Sequence, residues 1–309
     1  MHTGISAAAP ESRAIELIGA GIGEGASDQG CRAGPRALRQ FGLAERLGAR
    51  WTRMVDSDAA LRAQGALAVV REFSLRLAAS VRPAIERGSL PLVVGGDHSC
   101  ALGTWSAAAE VLRPRGRIGL VWVDAHLDSH TPQTSDTQAL HGMPLAALMG
   151  HGPPELTAIG ATPQKVDPRD VVIVGVRSYE AAEAALIERL GVRVMHMDEV
   201  RARGFAACLV EAVARVSAST AAWGLSFDLD ALDPADAPGT GTPVPGGIAL
   251  RDAVAGIAAL AQDPRLVAAE IVEYNPFRDP RRKTAAAVAA IAEALRAADK
   301  ALAKPRRAA

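Results

Sequence analysis

Five of the seven histidines, His98, His126, His130, His141 and His151, fall between positions 98 and 151. His98 closes the run Val93-Val94-Gly95-Gly96-Asp97-His98-Ser99, where two glycines allow the chain to turn tightly after an apolar segment. His126 lies inside Asp124-Ala125-His126-Leu127-Asp128, directly after the apolar run Ile118 to Val123. Residues i, i+2 and i+4 of an extended segment share one face, so Asp124, His126 and Asp128 converge. The run Ser226-Phe227-Asp228-Leu229-Asp230-Ala231-Leu232-Asp233-Pro234 repeats the arrangement with Asp228 and Asp230. Asp97, and Asp233 before Pro234, read more simply as turn formers or helix caps. The other four carboxylates, gathered at the end of a buried sheet, would cost about several kcal/mol per uncompensated ion. No Lys or Arg is interleaved in these motifs. Two divalent cations balance four carboxylates, and neutral His98 and His126 complete the ligand set. Oxygen-rich ligation favours Mn²⁺, with Co²⁺, Ni²⁺ or Fe²⁺ as alternatives. Such a pair makes hydroxide available near neutral pH, so the chemistry implied is metal-assisted hydrolysis.

The motifs need a scaffold that brings distant segments to one edge. Short apolar runs at Ile15 to Ile18, Leu92 to Val94, Ile118 to Val123, Val171 to Val176, Val192 to Met195, Trp223 to Phe227 and Val267 to Val272 alternate with stretches of helical period. That alternation predicts an α/β fold, with parallel strands joined by crossover helices. Several runs are apolar on both faces, which predicts a three-layer domain with a central sheet covered above and below. Leu67, Val70, Phe73, Leu77, Val81 and Ile85 form one helical stripe; Val288, Ile291, Leu295 and Leu302 form another. In such a sheet the carboxyl ends of the strands form the ligand crevice, where all three motifs fall.

Composition narrows the function. The 309 residues carry 34 Lys+Arg and 34 Asp+Glu, which gives no bulk electrostatic reason for a nucleic-acid or acidic-membrane partner. A hydrophobic fraction of 49% excludes a disordered chain, and three cysteines exclude a disulfide scaffold. No apolar run reaches the roughly 18 residues that span a bilayer, and the first residues lack a secretory signal, so a cytoplasmic location is expected. One domain over 1–309 is expected, with 1–13 and 304–309 as flexible ends.

These motifs resemble the ureohydrolase family of arginases, agmatinases and related guanidino hydrolases, through GGDHS at 95–99, DAHLD at 124–128 and SFDLDALDP at 226–234, in the family's order. The resemblance runs from Ile15 to the final helix, and the loop from Asp128 to His141 has the arginase length. It implies a single domain on a parallel eight-stranded sheet, assembled as homotrimers or homohexamers. It also implies His98, Asp124, Asp128 and Asp228 on one manganese and Asp124, His126, Asp228 and Asp230 on the other. By the same match His141 shuttles the proton to the leaving amine, with Asp128 at the reacting centre, and Glu273, in Val272-Glu273-Tyr274-Asn275-Pro276, pairs with the substrate guanidinium. Ser135 and Thr137 would hold a carboxylate at the far end of the substrate. His130 stands where arginases carry Asn, and Glu180 where they carry Asp for the α-amino group. Hydrolysis of L-arginine to L-ornithine and urea is the first expectation. A guanidino acid such as 4-guanidinobutyrate is second, and agmatine third.

Three rival readings are weaker. A guanidino- or polyamine-sensing protein without activity would tend to lose ligands or the proton shuttle. Single-zinc amide hydrolysis expects fewer carboxylates. A dinucleotide site at Gly21-Ile22-Gly23-Glu24-Gly25-Ala26 lacks the apolar helix that should follow it, and reads as a glycine-rich surface loop near the cleft. Cys100 reads as a packed thiol.

Overall fold

Along each central strand, successive side chains enter opposite apolar layers, as the pleat requires. In β4 (Ile118–Val123) Leu120 and Trp122 join one core cluster, and Val121 and Val123 the other. In β5 (Val171–Val176) Ile173 joins the first, Val172 and Val174 the second. The computed structural model describes residues 13–261 and 263–296. Within them β1 (Ile15–Gly21), β2 (Arg50–Asp56), β3 (Leu90–Val94), β4, β5, β6 (Arg193–His196), β7 (Ala222–Asp228) and β8 (Leu266–Val272) form one sheet in the order β2-β1-β3-β8-β7-β4-β5-β6. Every pairing is parallel.

Helices cover both faces. The predicted stripe lies on α1 (Ala66–Glu86), which packs with α2 (Ala101–Leu112) over one face. After α3 (Ala181–Leu190), the helices α4 (Phe205–Val216), α5 (Leu250–Leu260) and α6 (Lys283–Arg296) pack together, and α4 and α6 bury their apolar faces in the other layer. Val288, Ile291 and Leu295 of the second stripe are buried as expected; Leu302 lies outside the described residues.

Two expectations are corrected. The apolar runs predict seven strands, and the eighth is β2, an edge strand whose Arg50, Thr52 and Arg53 are exposed while only Val55 is buried. An edge strand covered on one side carries no apolar run to recognise. The Gly21 to Gly25 loop is buried rather than on the surface, because the Gly25 amide donates to Asp97 and Gly25 O accepts from His141 N. At the start of the described residues Arg13 donates to Gly88 O, Ser89 O, Leu266 O and Val267 O. The remaining end residues lie outside the described residues.

Candidate metal centre

The three motifs leave the carboxyl ends of β3, β7 and β4, and Glu273 follows β8. These four strands are neighbours in the middle of the sheet, so residues far apart in sequence meet over one edge. The turn after β3 explains its glycines. Gly95 and Gly96 have φ of 80° and 79°, and a Cβ on Gly96 would stand 2.6 Å from Ala20 O. Asp97 caps the turn through the Ser99 amide, and Asp233 accepts from the Ala235 and Gly246 amides, as their turn-forming reading requires. Asp128 and Glu273 also take positive φ, 48° and 66°, a conformation that costs on the order of 1–3 kcal/mol in a non-glycine residue.

The ligand side chains converge. His98 Nδ1 lies 3.0 Å from Asp128 Oδ2, 3.0 Å from Asp228 Oδ2 and 3.3 Å from Asp124 Oδ2. His126 Nδ1 lies 3.2 Å from Asp230 Oδ2 and 3.5 Å from Asp124 Oδ1. Two groups of side chains therefore have the spacing to hold an ion, His98 with Asp124 and Asp128, and Asp124 with His126 and Asp230. Asp124 belongs to both, one oxygen toward each. Among the described residues, no Lys or Arg forms an ion pair with Asp124, Asp128, Asp228 or Asp230. Arg177 approaches, but its guanidinium donates to backbone oxygens, among them Asp230 O at 2.6 Å and Val244 O at 2.7 Å.

The donor chemistry suits a pair of cations. His98 is 1% exposed, and its Nδ1 has no hydrogen-bond partner although three carboxylate oxygens surround it. With no ion bound, His98, His126, Asp128 and Asp228 hold protons more tightly than usual. Burial pulls His98 down, but Asp124, Asp128 and Asp228 outweigh it and hold the imidazole well above its usual range. Burial likewise opposes Asp230 and Asp124 at His126, which is nevertheless pushed up to about 12. Burial and the Asp124 charge push Asp128 up to about 7, and burial with Asp230 and Asp124 raises Asp228. Buried carboxylates and imidazoles that raise one another's proton affinity are donors for which a cation would compete.

Beside the cluster, His141 Nδ1 lies 3.1 Å from Glu273 Oε1, and the His98 amide donates to that oxygen at 2.8 Å. Cys31 Sγ donates to Glu273 Oε2 at 3.3 Å. The loop of His130, Ser135 and Thr137 lies next in the chain. The Ser135 and Thr137 oxygens, 3.5 Å apart, accept the Gln138 and Ala139 amides. His130 Nε2 lies 3.8 Å from Glu180 Oε2 and 3.7 Å from Glu183 Oε1. Glu180 is largely exposed, whereas Glu183 is buried and accepts the Ser129 and Glu180 amides. His151 follows a short helix and joins neither ligand group. Cys100 is a fully buried thiol.

Sequence reading missed Glu183, Ser226, Glu270 and the two tryptophans Trp105 and Trp122. Trp122 stacks on His98 with centroids 4.1 Å apart, and its Nε1 donates to Asp124 Oδ2 at 2.9 Å. Glu270 had a signal, as a lone acid inside the apolar run of β8.

The chain matches the arginase family profile over residues 13–297. It is 39% identical to the arginase of Bacillus caldovelox over 292 residues, spanning 90% of this chain and 96% of the relative. It is 35% identical to the arginase of Bacillus subtilis, over 92% and 97% of the two chains. The crystal structure of the Bacillus caldovelox enzyme superposes with a TM-score of 0.85 at 38% identity, covering 93% of this chain and 99% of that one. An Entamoeba histolytica arginase solved with L-ornithine gives 0.82 at 29% identity, covering 92% and 98%. With a central eight-stranded parallel sheet and two carboxylate–histidine clusters at its edge, the chain belongs to the arginase family.

Proposed function

We propose that this chain hydrolyses a guanidino compound and releases urea, with L-arginine as first substrate and L-ornithine as the other product. The observation that carries the reading is the His141–Glu273 pair set against two ligand clusters that share Asp124. Those clusters would hold two divalent ions, which when bound would supply a nucleophile from water near neutral pH. Manganese suits the four carboxylates and two imidazoles, with Co²⁺, Ni²⁺ or Fe²⁺ able to use the same donors. Burial would raise Glu273, but His141 and the His98 amide keep its carboxyl below the usual range, so it meets a guanidinium as an anion. Burial pulls His141 down, yet Glu273, Asp97 and Asp128 push it up to about 9, so at neutral pH the imidazole carries the proton that the leaving amine needs.

One observation favours a second substrate. The His130 imidazole lies within 4 Å of both Glu180 and Glu183, the carboxylates available to a substrate amine. A guanidino acid without that amine, such as 4-guanidinobutyrate, leaves this grouping undisturbed. The rest of the reading follows the family: a small-molecule substrate, a homotrimer or homohexamer, and a cytoplasmic location. No described helix is long and apolar enough to cross a membrane.

The test is urea release by the manganese-loaded protein from arginine, 4-guanidinobutyrate and agmatine. Arginine turned over fastest is the expected result. Faster turnover of 4-guanidinobutyrate selects the second substrate. Preference for agmatine, which has no carboxylate, overturns the role given to Ser135 and Thr137, and a loaded protein that releases no urea overturns the enzyme.

A further inference from the structure

Trp105, Glu270 and Ser226 belong to neither ligand group, yet they form one hydrogen-bonded chain that ends on a ligand. Trp105 Nε1 donates to Glu270 Oε1 at 2.7 Å, Ser226 Oγ lies 2.7 Å from the same oxygen, and His98 Nε2 lies 2.9 Å from Ser226 Oγ. Trp105, Glu270 and Ser226 are fully buried. Strand register builds the row, because Ser226 of β7 pairs with Trp122 of β4 on one side and Glu270 of β8 on the other. Gly224 makes room for the indole, since a Cβ there would stand 2.1 Å from Trp105 Cζ3.

One end of this chain cannot be reversed. An indole nitrogen only donates. As a carboxylate oxygen, Glu270 Oε1 accepts from the indole and from the Ser226 hydroxyl, while Oε2 has no partner. With its only hydrogen committed, Ser226 can only accept from His98, which places the imidazole proton on Nε2. Nδ1 is left facing Asp124, Asp128 and Asp228.

We propose that Trp105, Glu270 and Ser226 are positioning residues that lock His98 in the Nε2–H tautomer, aiming the Nδ1 lone pair at the ion on its side of the centre. The inference rests on the metal-centre reading and adds a direction to it, since the lock serves one ion of the pair. Outer hydrogen-bond partners of a ligating histidine are typically worth about 10- to 100-fold in metal affinity. A lock is also separable from a charge effect. In Glu270→Gln the amide carbonyl can occupy the Oε1 position, accepting from Trp105 and Ser226, while the amide nitrogen takes the unpartnered place of Oε2. Geometry is kept and charge is lost.

The test is an Mn²⁺ titration of the ion-depleted full chain, with free Mn²⁺ read by its paramagnetic resonance, for wild type, S226A, E270A, E270Q and W105F. Two ions are expected on the wild type. In S226A and E270A one ion is expected to bind about 10- to 100-fold more weakly, with the other unchanged. W105F shows a smaller loss of the same ion, and E270Q stays near wild type. Wild-type affinity for both ions in S226A overturns the proposal, as does equal weakening of both. So does a loss in E270Q as large as in E270A, which would make Glu270 a charge and not a lock. Thermal unfolding of the ion-free proteins identifies any variant that fails to fold; S226A and W105F decide the matter if E270A does. A wild type that binds two ions but releases no urea leaves the lock standing and removes only the proposed activity.

Discussion

Glu273 Oε1 accepts both the imidazole N–H of His141, at 3.1 Å, and the backbone N–H of His98, at 2.8 Å. The His141 imidazole is therefore tied, through one oxygen, to the backbone of His98 on the neighbouring strand end. Glu273 holds this place in a strained conformation, φ 66°, and its own amide donates to Gly96 O at 2.8 Å in the turn that presents His98. Movement at either end would be felt at the other.

If His141 is the proton donor proposed above, replacing it by Ala should slow urea release and leave ion binding unchanged. The expected fall in kcat is about 10²- to 10⁴-fold, the usual worth of a positioned general acid. Urea release and ion content measured on one preparation check this; a variant that keeps its rate requires another donor.

The pH dependence has a definite sign. Burial lowers the pKa of His141, and Glu273 overrides it, raising the imidazole to about 9. A raised pKa means the protonated form persists through neutral pH and is lost as pH rises past that value. Glu273→Gln removes the charge, so the His141 titration should move to lower pH. Nitrogen-15 spectra of the ion-depleted protein across pH 5 to 10 read the shift directly, and an unmoved or upward titration contradicts it.

Ion binding should release protons. With no ion present, His126 is held at about 12 and His98 well above its usual range, because carboxylates outweigh the burial that lowers them. Each ion must displace at least the proton of its imidazole. Apparent affinity should then fall by about tenfold per displaced proton for each unit of falling pH. Calorimetric titration of Mn²⁺ in buffers of different ionisation enthalpy counts the protons, and a count of zero contradicts the electrostatic account.

Local pattern carried much of this site. Asp124, His126 and Asp128 were legible as polar residues clustered just past an apolar strand, although the chain bends after Val123 and Asp128 turns to φ 48°, so they do not share one extended face; the carboxylates could be grouped because like charges at a strand tip demand a common cation. The eighth strand was not legible, because β2 exposes Arg50 and Arg53 and buries mainly Val55. Ser226 and Glu270 are 44 residues apart, and nothing in either neighbourhood says that β7 and β8 lie side by side in that register. The same holds for Cys31, 242 residues from Glu273 in sequence and 3.3 Å from it in space. Pairings across the sheet are set by the order of strands, which no local pattern contains.

Asp124 is shared by the two ligand groups and Asp230 belongs to one. Asp124→Asn should weaken both ions, whereas Asp230→Asn should weaken the ion on the His126 side alone. Ion content after dialysis against a chelator should fall toward none in the first variant and toward one per chain in the second. Equal retention by the two would mean that Asp124 does not bridge.

The turn that carries His98 should tolerate no side chain at Gly96. Its φ of 79° is strained for any L-residue, and an added Cβ would meet Ala20 O at 2.6 Å and Ile22 Cγ2 at 3.0 Å. The conformation alone costs on the order of 1–3 kcal/mol. The contact with a backbone oxygen of β1 adds to this, because a strand held on both sides by β2 and β3 cannot move aside. Gly96→Ala should therefore lower the melting temperature of the ion-depleted protein and weaken the ion on the His98 side. Gly88→Ala is the control, since its φ of 76° is equally strained but a Cβ there meets nothing within 4 Å. The control should lose stability with no change in ion affinity. If both variants lose affinity alike, the effect comes from general destabilisation and not from the turn that positions His98.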